Sequence, residues 1–315
     1  MKKINLLILA VVLLAIACSK DRTILLGEET TPKPVEQKDK FVAVNSTTFD
    51  NLGTQPEKKT IKSDNDLPFV GKQGTSVWLY TRDLKLPNGG AVTYPFDIEV
   101  LELFTPKDMI LHQMPTVSRG RLLTTAGEVL IKAYKDGKEL SINRLNSTTI
   151  NVPAKSGRID GFMELFYGEE AKSGVVDWVP ADTSRNGTEN GGGTIFGEKD
   201  MYTIFPSRIG WINCDKFYAF TEAKTAITFT SESPAIEKIL IFLYFPDLQS
   251  VMQVYGGVSG QVPVGRNVKI VAYAVTEEEQ YYSFFLEAAV QDKQKVEIKL
   301  NPTTKEALIK YLDTL

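Results

Sequence analysis

Pro95-Phe96-Asp97-Ile98-Glu99-Val100-Leu101-Glu102-Leu103-Phe104 decides the fold class. Its first half alternates apolar and acidic residues. That period of two sets one face of a strand on a core and the other in water. Asp97 and Glu99 are therefore expected on the wet face, and Glu102, past the strict alternation, is read with them by its charge alone. Upstream, Leu86-Pro87-Asn88-Gly89-Gly90 reads as a turn, and Ser76-Val77-Trp78-Leu79-Tyr80 as a β-branched and aromatic strand. Downstream, Thr105-Pro106-Lys107-Asp108-Met109-Ile110-Leu111 reads as one helical turn, with Thr105 as cap and Pro106 at the first helical position. Val129 to Tyr134 and Glu139 to Ile142 flank Lys135-Asp136-Gly137-Lys138, and Asp-Gly between apolar runs marks a hairpin.

The same signals recur in the C-terminal part. Strands are expected at about 227–230, 238–245, 268–275, 281–290 and 295–300, with Glu277-Glu278-Glu279 at a hairpin tip. The chain closes on a helix, with Thr303 and Glu306 as a capping box and Leu308, Tyr311, Leu312 and Leu315 on one face. Between the two halves, residues 168–200 are rich in Gly, Asp, Asn, Ser and Thr and read as a connector, loosest at 185–193. The expected fold is mainly β. It comprises two tandem β-sandwich-like domains, at 45–167 and 201–315, the second carrying the C-terminal helix.

Several residues of the first body carry a family resemblance. Phe96 to Leu103, Thr105 to Leu111, Pro115-Thr116, Gly120-Arg121-Leu122-Leu123 and Gly127-Glu128 occur in an order that resembles the ZU-type β-domain. That domain occurs in ankyrins, zonula occludens protein, netrin receptors and bacterial surface lipoproteins of uncharacterised function. Gly210-Trp211-Ile212-Asn213-Cys214-Asp215-Lys216-Phe217 resembles a signature that follows it in the bacterial proteins. Some eukaryotic members cut themselves at His-Phe-Ser. Here Gln113-Met114 follows His112, so that activity does not transfer.

The N-terminus says where such a body would sit. Lys2-Lys3, the largely apolar run Ile4 to Ala17, and Ala15-Ile16-Ala17-Cys18 resemble a bacterial lipoprotein signal with its lipobox. The run is short for a membrane-spanning helix, which needs roughly 20 residues. Polar Ser19 to Arg22 follows at once, which disfavours an uncleaved anchor. The resemblance implies cleavage after residue 17 and palmitate-type acylation of Cys18. Ser19 stands where an inner-membrane retention signal carries Asp, so the outer membrane is the expected destination. Lys20-Asp21-Arg22 partly matches a surface-export stretch, and the cell surface and the periplasmic face both stay open. Residues 18–44 are polar and read as a lipid-anchored tether.

Composition restricts the chemistry. The 315 residues carry a net charge of -3 and no long basic run, so nucleic acid is not an expected partner. One His and two Cys, one of them the acylated Cys18, cannot build a His/Cys metal site. Cys214 is then an unpaired core thiol. Neither a Gly-x-Ser-x-Gly elbow nor a phosphate-loop motif is present, and no cofactor is implied. The expectation is a protein with no catalytic residues, held to the membrane through Cys18, with a structural, adhesive or partner-binding role toward an outer-membrane protein. One alternative is a surface glycan-binding protein. There Trp178, beside the connector, is the candidate exposed platform, while Trp78 and Trp211, among apolar neighbours, are expected in cores. The other is a carboxylate-based glycoside hydrolase drawing on Asp97, Glu99, Glu102 or Asp215. It requires two acids facing each other across a cleft.

Overall fold

The computed structural model describes residues 40–43, 49–143, 148–170, 176–182 and 192–315. The leader, Cys18 and most of the tether lie outside the described residues, as does most of the loosest connector segment. The fold is mainly β, with two sandwich-like bodies and a C-terminal helix.

The alternating strand forms at Phe96–Leu103 and lies in a large antiparallel sheet. The main path of that sheet runs Glu57–Ile61, Phe96–Leu103, Arg121–Lys135, Gly210–Phe217, Glu164–Glu170, Val176–Pro180. A smaller sheet runs Gly193–Glu198, Met201–Pro206, Thr149–Pro153, Ser76–Trp78, Phe69–Val70. One core lies between the two sheets. Ile98, Val100, Val129, Ile131, Ile212 and Cys214 come from the large sheet, and Val77, Leu79, Ile150, Val152, Tyr202 and Ile204 from the small one. The Lys135–Lys138 hairpin closes as expected, with Asp136 and Gly137 at φ 50° and 74°, the left-handed conformation a two-residue turn demands.

The strand pairing crosses the expected connector and the boundary at 200/201. Val176–Pro180 is the edge of the large sheet, Gly193–Glu198 pairs with Met201–Pro206, and Gly210–Phe217 lies between Arg121–Lys135 and Glu164–Glu170. The first sandwich therefore extends to Phe217. Gly, Asn and Ser mark the loops of that stretch, but its strands are short and their partners lie far away in sequence.

A third sheet, Ser250–Val254, Leu240–Phe245, Asn267–Val275, Tyr281–Ala289, Asn301–Thr303, forms the second body. One of its faces packs with Phe229, Val262 and Val296 from short flanking strands and with Ile227 just before one of them. Its other face joins the far side of the large sheet. Leu101, Leu103, Leu123, Phe166 and Trp178 meet Phe242, Tyr244, Val251 and Tyr273 there, sealed by Met109, Ile110, Leu308 and Leu312 from the two helices. Phe96–Leu103 is thus apolar on both faces at its C-terminal end, which is why alternation fades after Val100.

Both helix caps are made by threonine. Thr105 accepts a hydrogen bond from the Asp108 amide at 3.1 Å, with Pro106 next to it as expected. The C-terminal helix, Lys305–Leu312, is capped by Thr304, which accepts from Ala307 N at 3.1 Å. The expected cap at Thr303 is thus one residue early; Thr303 ends the strand Asn301–Thr303. The last tether residues are docked rather than free. Phe41 is buried against Tyr282, ring centroids 5.0 Å apart, and Val42 N donates to Val275 O at 3.0 Å.

Candidate functional site

The loop 154–163 follows Thr149–Pro153 and leads into Glu164–Glu170. Its own hydrogen bonds hold it. Ala154 N donates to Asp200 O at 2.7 Å, Asp160 N to the Tyr202 hydroxyl at 2.8 Å, and Phe162 N to Asp160 Oδ1 at 2.9 Å. The Lys216 ammonium donates to Asp160 and holds its carboxyl below the usual range. A loop pinned this way leaves Phe162 81% exposed. A large aromatic held in water by its own backbone is a feature of recognition surfaces rather than of cores.

Phe162 stands at a cleft of about 560 Å³ between the two bodies, within the size range of ligand pockets. Ile159 and Met163 line it from the loop, and Tyr244, Gln249 and Val251 from the third sheet. Phe104 and the strand at Thr124 to Gly127 complete it. Gly127 sits at φ 139°, and a Cβ there would meet the Phe104 ring at 2.1 Å. The register with Gly210–Phe217 shifts here, between Asn213 and Asp215, and only glycine lets that irregularity and the ring share the space. Lys155 and Arg158 add positive charge, the Lys155 ammonium lying 4.9 Å from the centre of the Phe104 ring.

Among the described residues lining this cleft, Asp160 is the one carboxylate, and it is neutralised by Lys216. The cleft can hold an apolar or acidic group. It offers no acid facing a second acid, the arrangement glycoside hydrolysis needs.

The carboxylates singled out from sequence are dispersed. Asp97 is exposed and accepts from Thr60 Oγ1 at 2.6 Å, while Glu99 pairs with Lys58 at 2.6 Å. Glu102 is buried rather than wet. Its two oxygens accept the backbone N–H groups of Gln73 and Thr75 at 2.7 and 2.8 Å, so it organises a turn. Asp215 is fully buried near Glu128, which is also fully buried. Asn213 donates to Asp215 Oδ2 at 2.7 Å. Neither Glu128 oxygen meets a donor at hydrogen-bonding geometry, and the Trp178 indole N–H is spent on the Pro115 carbonyl at 2.9 Å. Burial, then the Asp215 charge, pushes the Glu128 carboxyl well above its ordinary value; burial does the same to Asp215. Neither residue lines the cleft.

Trp78 and Trp178 reverse the sequence reading, while Trp211 packs against a core as expected. Trp178 is 0% exposed, in the core shared by the two bodies, and offers no stacking face. Trp211 packs edge-on against it, with ring centroids 6.3 Å apart. Trp78 is half-buried and on the outer side of the small sheet. Its apolar neighbours Val77 and Leu79 were the reason to expect a core position. In a strand, however, residues one apart point to opposite faces, so a buried Val77 and Leu79 turn Trp78 outward. Cys214 is buried, and burial raises its thiol well above the ordinary value, so it is no nucleophile. His112 Nε2 donates to the Thr54 carbonyl at 2.9 Å and lies against Gly53, a packing role.

The sequence reading missed Phe162 and Arg158. The available signal was Lys155-Ser156-Gly157-Arg158, then Gly161-Phe162: an aromatic and two cations in a glycine-marked turn.

No family model matches the chain, and no curated protein matches it. Among solved structures, gamma-CGTase from alkalophilic Bacillus clarkii is similar at 10% identity and a TM-score of 0.19. The matched region covers 62% of this chain and 43% of that one, so this chain spans less than half the length of that enzyme.

Proposed function

We propose that this chain is a lipid-anchored outer-membrane protein with a partner-binding role and no catalytic chemistry. The observation that carries the binding role is the cleft, with exposed Phe162 at its edge, two cations, and its single carboxylate already ion-paired. Such a lining recognises a protein segment that presents an apolar side chain beside an acidic one. The Ala15-Ile16-Ala17-Cys18 leader supports the anchor, and the ZU-type resemblance supports a surface lipoprotein module. Two acyl chains on Cys18 suffice for stable anchoring.

Affinity capture of the full-length protein from detergent-solubilised outer membrane tests this reading. One stoichiometric protein is expected with the wild type and is lost with Phe162→Ala/Arg158→Ala. Equal capture by the double variant would reject the cleft. For the anchor, Cys18→Ser is expected to abolish metabolic palmitate labelling, and unchanged labelling would reject it.

A further inference from the structure

The outer face of the small sheet has a composition unlike an ordinary solvated face. Strand register sets two cross-strand ladders on it. In one, Ser76, Asn151, Thr203 and Phe196 stand side by side on successive strands. In the other, Trp78 stands beside Thr149 and Phe205 beside Thr194, and the Ile150–Ile204 pair next along the register brings Thr149 and Phe205 to the same level. Their sequence neighbours Val77, Ile150, Val152, Tyr202 and Ile204 fill the core beneath, so these eight side chains point away from it. Trp78 and Phe205 pack into none of the apolar cores formed by the described residues. Phe196 is 59% exposed and meets Phe205 edge-on, ring centroids 6.3 Å apart.

No charged side chain occurs in either ladder, although charged residues make up 24% of the chain. The first one, Glu198, stands one row further out, opposite Met201. A nucleic acid or an anionic membrane would need Lys or Arg here. A protein interface would put its apolar residues at the centre and its polar ones at the rim. This face does the opposite: hydroxyls and an amide run through the middle, with Trp78 on one side and the Phe205–Phe196 pair on the other. Trp78 and Phe205 are two strands apart, about 10 Å, a span of roughly two sugar rings. Aromatic faces take the apolar faces of sugar rings, and hydroxyl and amide groups between them take sugar hydroxyls.

We propose that this face binds an uncharged glycan, with Trp78 and Phe205 as stacking platforms and the Thr149 and Thr203 hydroxyls as the hydrogen-bonding row between them. The site shares no residue with the Phe162 cleft and does not depend on it, so either can fail alone.

Native affinity electrophoresis of the full-length protein in mild non-ionic detergent tests the proposal. The gels carry soluble starch, xylan, laminarin or galactomannan, with polygalacturonate as the charged counter-probe. At least one neutral polysaccharide is expected to retard the wild type. Trp78→Ala is expected to weaken that retardation at least tenfold, with the unfolding temperature measured alongside. Ser76→Lys puts a charge beside Trp78 without removing a packed ring and is expected to weaken it as well. The proposal is overturned if no neutral polysaccharide retards the wild type, if polygalacturonate alone does, or if both variants bind as the wild type does.

Discussion

At the scale of single residues, the carboxyl pair Glu128 and Asp215 is the costliest feature of the core. Both are fully buried, and no cation is paired with either among the described residues. Because folding raises both carboxyls above their ordinary values, the folded chain holds protons that the unfolded chain releases. The stability tied to these protons is fully present below about pH 4, the ordinary carboxylate value. It is lost as pH rises toward the raised values. Glu128→Gln/Asp215→Asn removes the titration while keeping the shapes. Thermal denaturation from pH 5 to pH 8 should show the wild type losing stability and the double variant holding it, with a gain of about 1–3 kcal/mol at pH 8. A variant no more stable than wild type at pH 8 would contradict this account. Nothing in the sequence marked the pair, because Glu128 and Asp215 lie far apart along the chain and meet only through the Asn213–Glu128 register.

At the scale of elements, the tether and the third sheet meet at a definite place. Phe41 buries its ring against Tyr282 and Ala274, and Val42 N and Lys40 O bond the strand ends at Val275 and Glu277. Phe41→Ser should cost about 2 kcal/mol or more in chemical denaturation. It should also release hydrogen-exchange protection at Val42 without changing that of Val100. Unchanged protection at Val42 would show that the docking is not needed to order this segment. Elements with local signals were legible in the sequence. The Phe96–Leu103 alternation, the Asp136-Gly137 turn and the Thr105-Pro106 cap each depend on residues a few positions apart. The strand Gly210–Phe217 was not placed in the first sandwich, since its register with Arg121–Lys135 is set by contacts about 80 residues distant. Trp78 faces outward because apolar neighbours along a strand report on the opposite face, and Trp178 is buried because the stretch that reads as a connector contributes the sheet strand Val176–Pro180.

At the scale of the molecule, the large sheet is buried on both sides, so the two bodies share a core instead of owning one each. The expectation of tandem domains, each with its own core, followed from length and from the Gly-rich stretch, which says where loops lie but not what they join. A shared core predicts one cooperative unfolding transition in calorimetry. A chain ending at Ala219 would expose Leu101, Leu103, Phe166 and Trp178 and should give no soluble folded product. Two resolved transitions, or a stable fragment, would contradict the shared core.

The same junction forms the cleft, so the proposed binding role rests on both bodies being in place. Site-specific photocrosslinking tests it most directly. With benzophenylalanine in place of Phe162, in the full-length lipidated protein in its own membrane, one discrete cross-linked protein species is predicted, and it should fade when Arg158→Ala is added. No discrete species at position 162, or one that persists unchanged with Arg158→Ala, would contradict the account.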